Sequence, residues 1–189
     1  MKILSIAVPC YNSQDYMEHC VETLLTGGEK VEIIIVNDGS KDDTAAIADR
    51  LAEKYPTIVK AVHQENGGHG EAVNTGIKNA TGVFFKVVDS DDWVGEEALA
   101  TLLEKLEMFS NSGEDAVNVP DLVLCNYIYD KVGVKHKKVI NYKGYLPLNR
   151  TFTWQDVKKM PPGKYMTMHA CVYRTEVLRE SQLVLPKHT

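Results

Sequence analysis

Apolar runs alternate with amphipathic stretches through the first half of the chain. Four short runs, rich in β-branched residues, are typical of buried strands, and they cover residues 3–8, 31–36, 58–62 and 83–88. After each run, apolar residues recur at helical spacing, as in the series Ala45, Ile47, Ala48 and Leu51. Continuously apolar strands that alternate with helices predict an α/β fold: a Rossmann-like, mostly parallel sheet with helices on both faces.

The pattern changes after about residue 110. Residues 111–120 read as a polar loop, and two longer strands are predicted at 122–130 and 134–142, paired as a hairpin. A further strand is predicted at 165–173 and a short helix at 175–181. We find no repeat and no clear linker, so the expectation is one domain over residues 1–189, with a mixed second half.

Composition narrows the class of protein. The net charge of −5 argues against a nucleic-acid-binding protein, which would normally carry a basic face. No apolar run approaches the length of a membrane span, and the N-terminus lacks signal-peptide architecture. The four cysteines form no CxxC pair, which favours reduced thiols and a cytoplasmic protein.

Polar clusters follow all four predicted parallel strands. They occupy residues 9–12, 37–40, 66–70 and 89–93. The carboxyl ends of parallel strands meet at one edge of the sheet, where open α/β folds bind their ligands. Four clusters at one edge therefore predict a binding site.

The cluster after the fourth strand is acidic. Asp89, Asp91 and Asp92 lie within four residues, and an extended backbone would point Asp89 and Asp91 to the same side. Carboxylates at this spacing suit Mg²⁺ or Mn²⁺ bridging to a phosphate. The alternative is that Asp91 or Asp92 only caps the helix that begins near Glu96.

Four motifs occur in order and together carry a resemblance. They are Val8-Pro9-Cys10-Tyr11-Asn12, Val36-Asn37-Asp38-Gly39-Ser40, Asn66-Gly67-Gly68 with Asn74-Thr75-Gly76, and Asp89-Ser90-Asp91-Asp92. In this order and spacing the chain closely resembles the family 2 glycosyltransferases, which are inverting enzymes with the GT-A fold. Tyr173-Arg174-Thr175-Glu176 extends the likeness more loosely into the second half.

The resemblance implies a role for each motif in binding a nucleotide-sugar donor, with UDP as the expected nucleotide. Pro9 and Tyr11 would pack on the base, and Asp38 would accept a hydrogen bond from the imide N–H of uracil. The alternatives are a half-buried turn aromatic for Tyr11 and an Asx turn or helix cap for Asp38. Asn12 and Ser90 belong to the same donor-binding motifs.

The acidic motif has the form DXD. The resemblance implies that Asp89 contacts the ribose and that Asp91, with Asp89 beside it, holds Mn²⁺ or Mg²⁺ on the diphosphate.

The glycine loop has two interpretations. Gly68 and its neighbours either let the backbone approach the donor, near a helix N-terminus, or only form the turn. Many family members carry an arginine near position 73 that reaches the diphosphate, whereas this chain has Val73. His69 or Lys86 could supply that charge instead. His169, within a predicted strand, is expected to be structural, with the acceptor side of the cleft as the alternative.

An inverting transfer needs a base for the acceptor hydroxyl. By resemblance, that base belongs to an acidic motif after a Leu-Pro stretch, and Leu185-Pro186 lies close to Thr189. The expectation is therefore a fragment whose base lies beyond Thr189, which binds donor and metal but turns over poorly. Asp156 and Glu176 are alternative bases that nothing in their surroundings supports.

The resemblance also implies partners. Residues 1–110 would bind the nucleotide-sugar donor, and residues 111–189 would form the acceptor side. The acceptor would be a saccharide or a lipid-linked molecule, as in polysaccharide biosynthesis. A membrane-bound acceptor would need only peripheral contact at the inner face of the membrane.

Two other classes compete with a transferase. One is a nucleotide-sugar-binding domain without activity. The other is a sugar-nucleotide pyrophosphorylase, which needs a glycine-rich basic loop after the first strand. Residues 9–12 contain no glycine and no charged side chain. A dinucleotide dehydrogenase ranks lower, because GxGxxG is absent there.

Overall fold

The structure is a computed structural model that describes residues 1–110, 119–130, 133, 137–163 and 165–188. The strands are β1 Leu4–Cys10, β2 Val31–Asp38, β3 Val59–Gln64, β4 Phe84–Val87, β5 Leu122–Leu124, β6 Tyr127–Tyr129, β7 Lys138–Ile140 and β8 Cys171–Arg174. The helices are α1 Met17–Leu25, α2 Thr44–Lys54, α3 His69–Asn79, α4 Glu96–Ser110 and α5 Thr175–Glu180.

Six strands form the central sheet in the order β3-β2-β1-β4-β8-β5. The first four are parallel to one another, whereas β8 runs antiparallel to both β4 and β5. The α/β, mostly parallel fold predicted from the apolar runs is confirmed. The chain runs from β1 through β2 to β3 on one side and then places β4 on the other side of β1, so the strand order reverses between β1 and β4 and their loops lie side by side.

Helices cover both faces of the sheet. Alternate residues of β1 point to opposite sides, as the pleat requires. On one face, Ile6 and Val8 pack in a core with residues of α1, α2 and α4. On the other face, Ala7 packs with residues of α3, against which Leu178 of α5 also lies. Both sides of β1, β2 and β4 are therefore buried, which explains their mostly apolar sequence, whereas β3 at the edge of the sheet exposes Lys60 and His63.

The second half departs from the predicted strands in two places. The predicted strand 122–130 is interrupted: β5 joins the central sheet, and β6 pairs with β7 in a separate two-stranded sheet. The predicted strand 165–173 begins only at Cys171, after a single 3₁₀ turn, Met168–Ala170. Residues 111–118 of the predicted loop at 111–120 and most of the hairpin turn at 131–133 lie outside the described residues.

A small third core holds the second half together. It centres on Tyr142, Leu146 and Ala170, all buried. Within the described part of the chain, no helix is both long enough and apolar enough to cross a membrane.

Candidate functional site

The four loops after β1, β2, β3 and β4 meet at the carboxyl edge of the sheet, where the sequence predicts a site. Each loop is hydrogen-bonded to the next, through the pairs Asn12–Ser40, Asp38–Gly68, His69–Asp89 and Ser90–Ser13. The loops thus form a closed ring, and its members hold one another in place.

Asn12 joins the first two loops. Its backbone N–H donates to Ser40 Oγ at 3.0 Å, and its side-chain Oδ1 accepts from the Lys41 N–H at 2.8 Å. Its φ of 51° lies in the left-handed region, which asparagine tolerates better than most residues. The geometry therefore gives Asn12 a role in shaping the loops.

Pro9 and Tyr11 differ in accessibility. Pro9 is buried within β1, opposite Val36 of β2. Tyr11 is 53% exposed, and its backbone N–H donates to Ser13 Oγ at 3.1 Å. Of the two, Tyr11 offers a free aromatic face to a ligand.

Asp38 is only 3% exposed, and its carboxylate accepts three hydrogen bonds from the next loop. Oδ1 accepts from Gln64 Nε2 at 2.7 Å and from the Gly67 N–H at 2.8 Å. Oδ2 accepts from the Gly68 N–H at 2.8 Å. Since a carboxylate has about four acceptor positions, Oδ2 keeps capacity for one more donor.

The glycine loop packs against a distant part of the same chain. The His188 N–H donates to the Gly67 carbonyl at 2.6 Å, and a Cβ on Gly68 would lie 2.6 Å from His188 Cα. The Asn74 amide brackets Leu185, donating to its carbonyl and accepting from its N–H, both at 2.9 Å. Residues 185–188, named the 185–188 segment, therefore pack on the glycine loop, and His188 occupies the space that Gly68 leaves open.

The acidic motif forms a turn and not an extended strand. Strand β4 ends at Val87, and the Asp92 N–H donates to the Asp89 carbonyl at 2.9 Å. The expectation that an extended backbone points Asp89 and Asp91 to the same side is therefore wrong, because the turn brings Asp89 and Asp92 together. Asp91 and Asp92 are exposed, whereas Asp89 is partly buried.

His169 completes this acidic group, whereas the sequence predicted a structural residue, with the acceptor side of the cleft as the alternative. Its Nε2 lies 3.4 Å from Asp89 Oδ2 and 3.6 Å from Asp92 Oδ2. Its Nδ1 is buried and has no hydrogen-bond partner among the described residues. The ligand atoms of Asp89, Asp92 and His169 all lie within 4.8 Å of one another, which makes this trio a candidate metal site within the described chain.

The electrostatics tie His69 to Asp89. The His69 Nε2 donates to Asp89 Oδ1 at 2.8 Å, and this bond raises the pKa of His69 against the opposing effect of burial. Burial alone would raise the pKa of Asp89, but the hydrogen bond and charge of His69, together with His169, hold it below its ordinary value. Burial raises the pKa of Asp92, and the neighbouring carboxylates add to that effect.

Lys86 does not face solvent. It is 9% exposed, and its Nζ donates to the His169 carbonyl at 2.6 Å. Burial lowers the pKa of Lys86, which the nearby thiols and carboxylates oppose. Its ammonium is therefore directed at the backbone of the candidate metal site.

The two alternative bases lie outside the ring of loops. Asp156 accepts from the Thr153 N–H at 3.0 Å within a capping box and pairs with Arg150, and these contacts lower its pKa. Glu176 is exposed at the start of α5, 4.0 Å from Arg174. A carboxylate with a lowered pKa is a weak base, so Asp156 is unsuited to the role.

Comparison with known proteins identifies the family of this chain. The model of the family described as Glycosyl transferase family 2 matches residues 5–181. The uncharacterised glycosyltransferase EpsJ of Bacillus subtilis (strain 168) is 37% identical over 192 residues, which cover 96% of this chain and 51% of EpsJ. The chain thus spans about half the length of this relative.

Solved structures share the fold. TarS residues 1–349 of S. aureus is 25% identical, with a TM-score of 0.66 over 98% of this chain and 50% of that one. TarS has also been solved with UDP and with UDP-GlcNAc. The mannosyltransferase PcManGT from Pyrobaculum calidifontis, solved with GDP-Man and Mn²⁺, is 24% identical, with a TM-score of 0.52 over 65% of this chain and 34% of its own.

The family model covers nearly the whole chain, and the match to TarS extends over the same residues. The GT-A architecture implied by the four motifs is thereby confirmed, and the chain belongs to glycosyl transferase family 2.

Proposed function

We propose that the chain binds a nucleoside-diphosphate sugar, UDP-linked, within the ring of loops and transfers the sugar to an acceptor hydroxyl with inversion. The observation that carries this proposal is the trio Asp89, Asp92 and His169 beside that ring. In this proposal residues 1–110 form the donor half and residues 111–189 the acceptor half. The cytoplasmic location stays a prediction.

The residues of the trio fit a divalent metal ion. Two carboxylates and an imidazole are ligands that Mn²⁺ accepts, and Mg²⁺ would favour the carboxylates. Asp89 uses Oδ1 for His69 and keeps Oδ2 facing His169. Asp89, Asp92 and His169 would hold the ion, with exposed Asp91 next to them as the further ligand that the family resemblance implies. Bound there, the ion would supply Lewis-acid stabilisation of the departing diphosphate.

The nucleotide base would lie between Tyr11 and Asp38. The exposed ring of Tyr11 offers a stacking face, and the spare position on Asp38 Oδ2 can accept an imide N–H, which uracil has and cytosine lacks. This arrangement supports uracil as the base, as do the UDP complexes of TarS.

Among the two candidates for a positive charge near the diphosphate, the contacts favour His69. Val73 is buried in the core beneath α3 and cannot take the place of the missing arginine. Lys86 is engaged with the His169 carbonyl. The partly exposed imidazole of His69 lies at the start of α3, where the helix dipole also favours an anion.

The first test is calorimetric titration of UDP into the protein with and without Mn²⁺. We expect binding that depends on Mn²⁺ and that Asp89→Asn weakens at least tenfold, in line with loss of a metal ligand. Asp121→Asn is the matched control, because Asp121 pairs with Arg174 at the opposite edge of the sheet. Metal-independent UDP binding, or equal weakening by the control, would contradict the proposal.

Two further variants separate the ligand sets. Asp92→Asn tests the trio found in the structure, and Asp91→Ala tests the residue that the family resemblance implies.

A non-catalytic domain would bind UDP in the same way but release no UDP from a UDP-sugar in the presence of acceptors. The family match leaves a pyrophosphorylase without support.

A further inference from the structure

Lys86 is buried where the sheet would accept an apolar residue. On the same face of the sheet, its neighbours Phe84 and Val88 belong to the main hydrophobic core. Lysine is almost never fully buried unless it is paired, because an ammonium group loses its hydration there. The presence of Lys86 at this position therefore needs an explanation other than packing.

The contact that Lys86 makes is specific. Its Nζ donates to the carbonyl of His169, which lies in the 3₁₀ turn just before β8. The His169 ring faces Asp89 and Asp92 on one side, and its centroid is 5.7 Å from that of Tyr127. One hydrogen bond thus connects β4, which leads into the acidic turn, with the residue that brings an imidazole to it.

We propose that Lys86 is a positioning residue for the metal site, which holds the His169 backbone so that the imidazole stays beside Asp89 and Asp92. This inference rests on the proposed metal-assisted function. Burying the ammonium group costs free energy that offsets the hydrogen bond it makes, so Lys86 contributes little to the stability of the fold. Lys86 acts on the geometry of His169, and its loss is expected to weaken metal binding while leaving the fold intact.

The experiment measures Mn²⁺ affinity and thermal unfolding for the wild type, Lys86→Met, His169→Ala and the double variant. We expect Lys86→Met to weaken Mn²⁺ binding about tenfold, as outer-shell substitutions do. In the His169→Ala background the same substitution is expected to have no further effect, because residues that act through one another are not additive. The melting temperature of Lys86→Met is expected to equal or exceed that of the wild type.

Two further variants guard against a general effect. Lys60→Met removes an exposed lysine of β3 and is expected to leave Mn²⁺ affinity unchanged. Lys86→Gln keeps an N–H donor for the His169 carbonyl and is expected to bind Mn²⁺ more tightly than Lys86→Met. Equal effects of Lys86→Met in the presence and absence of His169, or a loss of affinity that parallels a loss of stability, would overturn the inference.

A second readout needs no metal. A nuclear Overhauser contact between the rings of His169 and Tyr127 is expected in the wild type and is expected to weaken in Lys86→Met. If the wild type binds no Mn²⁺, the metal proposal fails, yet this contact still decides the role of Lys86. An unchanged contact in Lys86→Met would show that the lysine does not position His169.

Discussion

Substituting Gly68 by alanine tests how the 185–188 segment is packed. Gly68 has φ 85° and ψ 170°, a backbone region that is essentially restricted to glycine, and alanine there costs about 1–3 kcal/mol. The added Cβ would also lie 2.6 Å from His188 Cα and 2.8 Å from His188 N. The segment must therefore move, and the hydrogen bond from His188 to Gly67 is expected to be lost, which adds about 1 kcal/mol.

Gly144→Ala is the matched control. Gly144 has a similar φ of 94°, but no described atom lies within 4 Å of the position of its Cβ. Urea denaturation measures the free energy of unfolding of both variants, and their difference reports the collision with His188. Alanine also lowers the conformational entropy of the unfolded chain, and this stabilising effect is common to both variants. We expect Gly68→Ala to lose at least about 1 kcal/mol more than Gly144→Ala. Equal losses would refute the packing of the 185–188 segment on the glycine loop.

Three other expectations follow from the contacts. In the wild type the N–H groups of Gly67 and Gly68 donate to the buried carboxylate of Asp38, and Asp38→Asn would set an amide NH₂ against one of these donors. Urea denaturation is expected to show that the free energy of unfolding falls by about 2 kcal/mol. The pKa of His69, followed by NMR, is expected to lie above its ordinary value and to fall in Asp89→Asn. Because the folded pKa of His69 is raised and that of Asp89 is lowered, the stabilisation by this pair is lost as pH rises through the pKa of His69 and again as pH falls through the pKa of Asp89. Burial raises the pKa of Cys10 to about 12, so a thiol reagent is expected to modify the less buried Cys125 first in the native protein.

The first half of the fold could be predicted because β1, β2 and β4 are buried on both faces. The apolar runs locate β1 to β4 within two residues, but the runs for β1, β2 and β3 end two residues too early at the functional edge. Strand β2 continues to Asp38 because its backbone still pairs with Gln64 of β3. Backbone pairing does not depend on apolar side chains, so the pattern could not show where the polar residues remain in the sheet.

The glycine loop shows a different limit. The sequence predicts that the glycines either let the loop backbone approach the donor or only form the turn, whereas the structure shows that the missing Cβ of Gly68 makes room for the backbone of His188 of the same chain. The two residues are far apart in sequence, and neither has a pattern that points to the other. A motif can therefore indicate close packing without indicating its partner.

His169 illustrates why one member of the candidate metal site could not be assigned to that site from the sequence. The rule that ligands bind at the carboxyl ends of strands applies to parallel strands, whereas β8 runs antiparallel to β4. An antiparallel strand presents its beginning, and not its end, at that edge. Phe85 lies opposite Tyr173, so the residues just before β8 lie at the edge where β4 ends and the acidic turn begins. The direction of β8 therefore brings His169 to the edge of the acidic turn, and its position beside the carboxylates also depends on the 3₁₀ turn Met168–Ala170 and on the turn that joins Asp89 to Asp92.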